Sequence, residues 1–458
     1  MDEIVRQALR AIADEVPRRD AAPHERLPRP TRRRARRRMA LSVVGAILTL
    51  AVIAYGGVVG VQAATHRPQS PKPVSNPSCG WSIAPSPNVG AAMEANELHA
   101  ISVLADDDAW AVGYHYAFSP GEGGGGPNLP LIEHWDGTAW NVVAAPDIPT
   151  GTLAGVVAVA TDDAWAVGSK SAAGGADVPL ILHWDGSMWR EMPAPDVGKR
   201  YARLLAVAAY GSEDVYAVGN WATGEVGGTL AMRWDGRSWS ILASLDPPPD
   251  PLLGHPYPGL GGVAAPALSE VWAVGTRSNV APAIGSNPLV ERYDGAEWTV
   301  ASAPDVPAQT GPTTDELTAV AARSATDAWA VGSYAIDATN PVLTEPLVLH
   351  WDGSSWTAVA AEPLPASGGL DGVAIGSGPA SNDVWAVGSF RSGLDLRPAV
   401  EGWDGETWTL EPGVPDAAGW LGAVATAPSG EIWSVGSTAV SDQPSRTLVL
   451  RGTCPSGA

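Results

Sequence analysis

The residues that could do chemistry in this chain recur at regular intervals. Three histidines, His134, His183 and His350, occupy the same position of a repeated HWDGxxW motif, and an aspartate follows two residues later in each copy. Histidine and carboxylate side chains can hold a metal ion or transfer a proton. Equivalent positions of separate repeats lie far apart in space, however. We therefore expect these histidines to be core or edge residues that share no metal.

The aspartates of this motif favour a turn over a binding site. An Asp-Gly pair occurs in all six copies, and Asp-Gly is a preferred connection in two-residue hairpins. An aspartate in such a turn hydrogen-bonds its own backbone. The predicted turn-forming aspartates are Asp136, Asp185, Asp235, Asp294, Asp352 and Asp404.

Other chemical motifs do not occur in the sequence. It has no nucleophile elbow, no Gly-rich phosphate loop and no zinc motif. We therefore predict no catalytic residue, no metal site and no cofactor.

A second repeated motif identifies the elements that position these residues. The pattern acid–apolar–aromatic–small–Val–Gly, as in DAWAVG, recurs seven times and precedes each HWDGxxW-type segment. Its aromatic residues are Trp110, Trp165, Tyr216, Trp272, Trp329, Trp385 and Trp433. A looser Leu-x-Ala/Gly-Val/Ile pattern stands before each copy. All these segments are short, apolar and rich in β-branched or aromatic residues, which indicates β-strands.

Four strands in each repeat of about 50 residues predict a β-propeller. The fold class that we expect is all-β, with seven blades of four antiparallel strands. The small residue of the first strand fits this fold, because the innermost strands of a propeller crowd around its axis. These residues are Ala100, Gly155, Ala206, Gly262, Ala319, Gly372 and Ala423.

The repeats resemble those of kelch and galactose-oxidase-like β-propellers of bacterial surface proteins, especially those with DAWAVG…HWDGxxW repeats. The resemblance covers residues 79–454 and implies the propeller fold. The repeats depart from the kelch pattern because no Gly-Gly doublet recurs in them at one position, and their DGxxW element is one residue shorter than the Asp-box of sialidases. Copper oxidase chemistry is not expected, since both cysteines stand outside any central site.

The two cysteines stand at the ends of the repeated region. The last repeat stops at Cys454 without its fourth strand, and the segment after Cys79, which carries Trp81, matches that missing strand. We predict that this N-terminal strand completes the last blade. Cys79 and Cys454 then meet where the other blades carry Asp-Gly, and we expect a disulfide there. Such a bond requires an oxidising compartment.

The sequence before the repeats predicts a membrane anchor. Residues 39–62 carry no charge and are long enough to cross a hydrocarbon core of about 30 Å. Six arginines at positions 32–34 and 36–38 precede them, and the positive-inside rule then keeps the N-terminus in the cytoplasm and places the propeller outside the cell. A cleaved signal peptide ending near residues 61–64 is the alternative.

The predicted domain order follows from these segments. It comprises a cytoplasmic tail (1–38), a transmembrane helix (39–62), a Pro/Ser-rich linker (63–78), the propeller (79–454) and a short tail (455–458). Apolar residues at helical spacing predict an amphipathic helix over residues 2–16, which would rest on the membrane or dock on a cytoplasmic partner.

Charge excludes nucleic acid as a partner. Residues 1–64 carry twelve arginines and six acidic residues, whereas the rest of the chain has a net charge of −27. Such an acidic body repels phosphates.

Binding is expected on one face of the propeller, where the long and variable loops emerge. Aromatic residues outside the repeat mark this face as a candidate site, because exposed aromatics suit carbohydrate stacking or a protein partner. Packing within the loops is the alternative reading for each. The candidate ligand-binding residues are Trp221, His115, Tyr116, His255, Tyr257, Tyr334, Phe390 and Trp420, the last near the channel mouth.

The sequence therefore favours a membrane-anchored extracellular propeller that binds or scaffolds a cell-surface glycan, a peptide or an envelope protein. The alternative is an extracellular enzyme that acts on polysaccharide through acidic residues in the loops. The absence of a catalytic motif favours the first interpretation.

Overall fold

The computed structural model describes residues 79–90, 94–116, 126–172, 174–224, 226–243, 257–279, 285–304, 314–337, 343–376, 383–440 and 443–454. All of them lie within the unit that spans residues 75–458. These residues form β-strands, turns and loops, with no helix among them.

The strands of the first half of the described region follow the repeated motifs. They are β1 (Gly80–Ala84), β2 (Asn96–Ala105), β3 (Asp108–Tyr116), β4 (Asn128–Trp135), β5 (Trp140–Val142), β6 (Gly151–Ala160), β7 (Asp163–Ala172), β8 (Ala176–Trp184), β9 (Trp189–Glu191), β10 (Tyr201–Gly211), β11 (Asp214–Thr223), β12 (Val226–Trp234) and β13 (Trp239–Leu242).

The second half repeats the same succession. Its strands are β14 (Tyr257–Ala267), β15 (Glu270–Asn279), β16 (Gly285–Tyr293), β17 (Trp298–Val300), β18 (Glu316–Ser324), β19 (Asp327–Ala335), β20 (Thr344–Trp351), β21 (Trp356–Val359), β22 (Gly368–Ile375), β23 (Val384–Ser392), β24 (Asp395–Trp403), β25 (Trp408–Leu410), β26 (Gly419–Thr426), β27 (Ile432–Thr438) and β28 (Thr447–Thr453).

The strands form six hydrogen-bonded sheets, so the prediction of seven separate blades is wrong. Five sheets have four strands each: β2–β5, β14–β17, β18–β21, β22–β25 and β1-β28-β27-β26. The sixth has eight strands, β6 to β13, because Tyr201 of β10 pairs in parallel with Asp177 of β8 and joins two successive antiparallel meanders. The repeat pattern predicts each meander but carries no information on a bond between neighbouring meanders.

The predicted transmembrane helix finds no support in the structure. Residues 39–62 lie outside the described residues, as do the amphipathic helix predicted over 2–16, the linker and the C-terminal tail. Within the described ranges, no helix has the length and apolarity needed to cross a membrane.

The first strands of the meanders form a closed ring. Strands β2, β6, β10, β14, β18, β22 and β26 pack side by side in chain order, and β26 packs against β2. The small residue of the first-strand pattern lies where two neighbours touch. A Cβ atom on Gly262 would stand 2.8 Å from the Cα of Ala319, and one on Gly372 would stand 2.8 Å from the Cα of Ala423.

A β-bulge interrupts every first strand at the same place. In β2 the pairing with β3 shifts between Leu98 and Ala100, and the six other first strands shift at the equivalent leucine. The glycine that ends the DAWAVG motif faces this bulge. A Cβ on Gly332 would lie 2.0 Å from the carbonyl oxygen of Glu316, a distance that no real side chain tolerates. The motif therefore requires glycine because the bulge pushes a carbonyl onto it.

Tryptophan rings fill the spaces between neighbouring sheets. Trp110 of β3 is 2% exposed and contacts Trp184 and Trp189 of the next meander at ring-centroid distances of 5.0 and 5.1 Å. Equivalent triplets recur, as with Trp329, Trp403 and Trp408. The repeated tryptophans therefore belong to the core.

The cysteine prediction is confirmed. Cys79 and Cys454 form a disulfide, and β1 pairs with β28 in antiparallel register, with Trp81 opposite Gly452. The carboxylate of Glu411 accepts hydrogen bonds from the Cys79 backbone nitrogen at 3.3 Å and from Trp81 Nε1 at 3.2 Å. The N-terminal strand is thus held both covalently and by the neighbouring sheet.

Replacing both cysteines by serine should lower the free energy of unfolding by about 2–5 kcal/mol, because the bond closes a very long loop. Urea unfolding of the wild type and of Cys79→Ser/Cys454→Ser, each with and without reductant, measures this. Reductant should destabilise only the wild type. Equal stability of the two proteins under oxidising conditions would contradict the prediction.

The bulge glycine gives a second prediction. Gly332→Ala should destabilise the fold by roughly 1–3 kcal/mol, since its methyl group has no room beside the Glu316 carbonyl. Gly211→Ala is the matched control, because a Cβ at Gly211 meets nothing within 4 Å. Thermal melts of both variants compare them. An unchanged melting temperature of the Gly332→Ala protein would show that the bulge does not fix this position.

Candidate functional site

The bulges of the first strands create the channel lining. Each bulge leaves one extra residue between the leucine and the small residue, and an extra residue of this kind is re-aimed away from the ladder. Six of them line cavities at the start of the first strands, and Gly422 lies beneath the ring of Trp420. The bulge residues are His99, Ala154, Leu205, Gly261, Thr318, Asp371 and Gly422.

A cavity at this end has a volume of about 710 Å³, and we call it the channel mouth. Trp420, His99, Glu316 and Asp371 form one side of it, on neighbouring first strands. The other side is apolar or glycine-lined, with Leu205, Gly259 and Gly261. The channel mouth is therefore polar and aromatic on one arc and smooth on the other.

Trp420, which the sequence predicts near the channel mouth, lies within β26 and lines that cavity. Its half-buried ring stands 5.7 Å from the ring of His99, between centroids. Gly422, two residues along the same strand, makes room for it: a Cβ there would come within 2.6 Å of the Trp420 ring. Glycine at the bulge thus allows the indole to lie along the channel wall.

His99 belongs to a small polar cluster on β2 and β3. Its ring contacts that of Tyr114 at 5.3 Å, and its Nε2 lies 3.6 Å from Oε2 of Glu97. Burial by itself would raise the pKa of Glu97, but interactions with His99, Ser445 and Tyr114 outweigh it and lower that pKa. Burial and the charge of Glu97 raise the pKa of Tyr114. The Glu97 carboxylate is thus already engaged.

The carboxyl groups of Glu316 and Asp371 have fewer interacting partners than that of Glu97. Ser333 Oγ donates to Glu316 Oε1 at 3.3 Å, whereas in the described part of the chain no hydrogen bond or ion pair reaches the Asp371 carboxyl group. Asp371 is enclosed by protein on most sides, and burial together with the charge of Glu316 raises its pKa to about 7. Thr318 Oγ1 donates to the Leu370 carbonyl oxygen at 2.8 Å and ties the two strands together.

Two basic side chains near this end, Lys170 and Arg203, are paired with carboxylates. A neighbouring cavity of about 460 Å³ is lined by Lys170 and Arg203. Lys170 Nζ lies 2.5 Å from Glu191 Oε1, and Arg203 Nη2 donates to Asp177 Oδ2 at 2.9 Å. These cations are neutralised by their own partners.

Trp221 lies outside the channel mouth. It is half-buried in β11, packs on the core between two meanders, and has Lys199 Nζ 4.0 Å from its ring centroid. It lines a separate shallow cavity of about 330 Å³ with Tyr201 and Asn220. One face of this indole is therefore occupied by a cation.

The other loop aromatics mostly pack against their own strands. The Tyr116 hydroxyl accepts from the Gly126 backbone at 3.0 Å, and the Tyr334 hydroxyl donates to Glu345 at 2.8 Å. Burial and Glu345 raise the pKa of Tyr334 to about 12. Burial lowers the pKa of His115, and Phe390 is half-buried in β23.

The remaining two candidates are not placed. His255 and the side chain of Tyr257 lie outside the described residues, although the Tyr257 backbone begins β14 opposite Ser278. Of the predicted site residues, the structure therefore brings only Trp420 into the channel mouth among those it describes.

The repeated histidines have a structural partner in their own meander. His134 Nε2 lies 2.9 Å from Asp108 Oδ1, and the imidazole packs on Trp110 at 4.3 Å. Equivalent pairs join His183 to Asp163 and His350 to Asp327. Arginine takes the place of histidine in the Arg233–Asp214, Arg292–Glu270 and Arg451–Glu431 pairs. The acid of one motif thus binds the base of the other across adjacent strands.

The motif aspartates form turns as predicted, but the turn is shifted by one residue. Asp136 Oδ1 accepts from the backbone nitrogens of Thr138 and Ala139, each at 2.9 Å. The Asp136 nitrogen bonds the Ala139 carbonyl, so the two central residues are Gly137 and Thr138 rather than Asp-Gly. Gly137 has a φ of 87°. Across the described ranges, no group of three or more potential ligands could hold a metal ion.

Sequence reasoning missed the bulge residues, although the repeats contain a signal for them. The position just before the small residue of the first strand holds His, Ala, Leu, Gly, Thr, Asp and Gly in successive copies. It is free to vary because neither the ladder nor the core specifies it. Variation at one position between constant neighbours marks the channel lining.

Comparison with known proteins identifies the fold. The chain matches no protein-family model and no curated protein. A polysaccharide lyase, ulvan lyase bound to -[GlcA(1-4)Rha3S]-, aligns with a TM-score of 0.51 at 9% identity, over 81% of this chain and 94% of the lyase. YCF48 from Cyanidioschyzon merolae aligns with a TM-score of 0.47 at 16% identity, over 81% and 98% of the two chains. The protein is an all-β propeller.

Three third strands bury a glutamate away from the channel. Glu133, Glu291 and Glu401 are fully buried at equivalent positions. Ser86 Oγ donates to Glu133 Oε2 at 2.8 Å and so anchors the segment that follows β1. Burial raises the pKa of Glu133 to about 8 and, with the charge of Glu362, that of Glu401 to about 7.

This burial predicts a pH-dependent stability. A carboxyl group whose pKa is raised in the folded state takes up a proton on folding, so stability falls as pH rises from about 4.5 to about 8. Glu133→Gln should remove the part of this pH dependence that Glu133 contributes, and the variant should be more stable than the wild type at about pH 8. Each unit of pKa shift corresponds to about 1.4 kcal/mol of stability at most.

Urea unfolding at about pH 5 and about pH 8 measures the effect. Glu406→Gln, at an exposed turn, is the control and should retain the wild-type slope. A Glu133→Gln protein with an unchanged difference between the two pH values would refute the assignment.

Proposed function

We propose that this protein is a binding module that receives a cell-surface glycan, a peptide or an envelope protein at its channel mouth. The observation that carries the proposal is the position of Trp420. Its half-buried ring lines a cavity of about 710 Å³, a size typical of ligand sites. No repeat motif requires this tryptophan, and Gly422 is the residue that lets it lie there.

The propeller supports such a role because it holds the site rigidly. The bulge residues of the channel are fixed by a leucine, a small residue and a facing glycine, and Trp420 lies two residues before the bulge residue Gly422. Rigid, preorganised positions reduce the entropy lost on binding. The aromatic ring and the adjacent polar side chains then supply contact area and orientation.

We further propose that the propeller is displayed outside the membrane, tethered by residues 39–62. The uncharged segment and the arginine run before it favour this arrangement, as does the Cys79–Cys454 disulfide, because structural disulfides persist in oxidising compartments. In this arrangement the segment 2–16 lies in the cytoplasm, and a protein that binds it would be a second, cytoplasmic partner.

One observation favours a second candidate function, an enzyme acting on polysaccharide. Asp371, whose pKa burial and the charge of Glu316 raise to about 7, stands beside Glu316, and a carboxyl group that keeps its proton near neutral pH can act as a general acid. Release of reducing or unsaturated ends from a polysaccharide panel, lost in Asp371→Asn, would establish it. The likeness to ulvan lyase concerns the fold and gives this candidate no further weight.

The binding proposal is tested with the purified full-length protein. A glycan array and a pull-down from an envelope fraction identify ligands, and titration calorimetry measures them with three variants. Trp420→Ala should weaken binding at least about tenfold, because a buried aromatic contact is worth about 1–2 kcal/mol or more. Gly422→Ala should weaken it too, since its methyl group displaces the indole.

Trp221→Ala is the matched control, since that ring lies outside the channel mouth, and it should bind as the wild type does. Thermal melts establish that each variant is folded. Ligands whose affinity is the same for Trp420→Ala and the wild type, or the absence of any ligand, would refute the proposal.

A further inference from the structure

We infer that the channel mouth recognises a positively charged side chain, an arginine or a lysine, of a peptide or protein ligand. This inference rests on the proposed binding function and narrows it to one class of ligand.

The channel mouth contains a pair of carboxyl groups that no ion pair from a described residue neutralises. Asp371 and Glu316 come from adjacent first strands and both line the channel mouth. No ion pair reaches either group from any residue that the structure describes, and Asp371 also lacks a hydrogen bond there. Two carboxyl groups held together in a partly enclosed site repel each other, and a cation between them relieves that repulsion.

The described basic side chains of the protein form no ion pair with these two carboxyl groups. Arg203 and Lys170 are paired with Asp177 and Glu191 in the neighbouring cavity. Arg391 lines a smaller cavity of about 210 Å³ beside Asp371 and forms no ion pair within 4.0 Å there. The described lining of the channel mouth thus holds two carboxyl groups without an ion pair, Glu316 and Asp371, and leaves the position of the counter-charge open.

The ring of Trp420 adds a second attraction for a cation beside these two carboxyl groups. An indole face attracts an ammonium or guanidinium group, and more strongly where water is partly excluded. Trp420 lines the same cavity as Glu316 and Asp371, and Gly422 keeps its ring along the wall. A site with an aromatic face and adjacent carboxylates fits a cation better than it fits a neutral sugar.

The opposite wall of the channel mouth suits the hydrocarbon part of a basic side chain. Leu205, Gly259 and Gly261 give it an apolar, smooth surface. Arginine and lysine carry a hydrocarbon stem below the charged head, and such a stem packs on apolar surface while the head reaches polar groups. The cavity thus matches both parts of these side chains. The net charge of −27 beyond residue 64 favours the approach of a basic ligand as well.

The experiment compares peptides that differ in one charge. The probes are nine-residue Gly/Ser peptides with a central arginine or citrulline, and a second pair with lysine or norleucine. Saturation-transfer NMR with the full-length protein measures the binding of each peptide. We expect arginine and lysine peptides to bind at least about tenfold more tightly than their neutral counterparts.

Two double variants locate the effect. Glu316→Gln/Asp371→Asn should abolish the preference for the charged peptides. Glu297→Gln/Glu406→Gln removes the same charge from exposed hairpin turns at the other end of the strands and should retain the preference. Equal loss in both variants would show general attraction by an acidic protein and overturn the inference.

Other outcomes are equally decisive. Equal affinity for arginine and citrulline peptides, or no binding of either, overturns the inference. So does a chitosan oligosaccharide that binds in a Trp420-dependent manner while the basic peptides do not. If the ligand found by array or pull-down is neutral and depends on Trp420, the binding function stands and only the cationic assignment fails.

Discussion

The β-bulge in each first strand is the constraint on which the rest of the structure depends. It forces a carbonyl toward the second strand, so that the facing position must be glycine, as at Gly332 against Glu316. It also releases one residue from the ladder and turns it to the channel. A single irregularity therefore explains both the most constant residue of the repeat and the most variable one, and it connects the sequence pattern to the binding site.

The remainder of each repeat separates stability from function. In six of the seven repeats an acid on the second strand pairs with a histidine or arginine on the third, and this base lies over the ring of the motif aromatic residue, as in Asp108, His134 and Trp110. These residue types are those of catalytic and metal sites, yet their repetition in successive meanders assigns them to the scaffold. The channel mouth uses residues that occur once, such as Trp420 and Asp371.

Much of the fold could be predicted from the sequence, because repeated periods report local strands and turns directly. The terminal strand and its disulfide were also predictable, since the missing fourth strand left an unpaired edge beside Cys454. The eight-stranded sheet could not be predicted, because the Tyr201–Asp177 pair depends on how two meanders approach. Asp371 was missed because the bulge changes which side chain of β22 faces the channel, and strict alternation along a strand does not reveal this. The hydroxyl partners of the loop aromatics, such as Glu345 for Tyr334, could not be predicted because tertiary contacts set them.

The closure of the ring by β1 and β28 has a mechanical consequence. A pull on the chain from the N-terminal side of Cys79 reaches the sheet at the disulfide, where β1 begins and β28 has just ended. The load is divided at once between both strands, so the hydrogen bonds between them cannot open one after another from that end. A propeller held at this point would transmit force to its whole circumference instead of shedding its outermost strand.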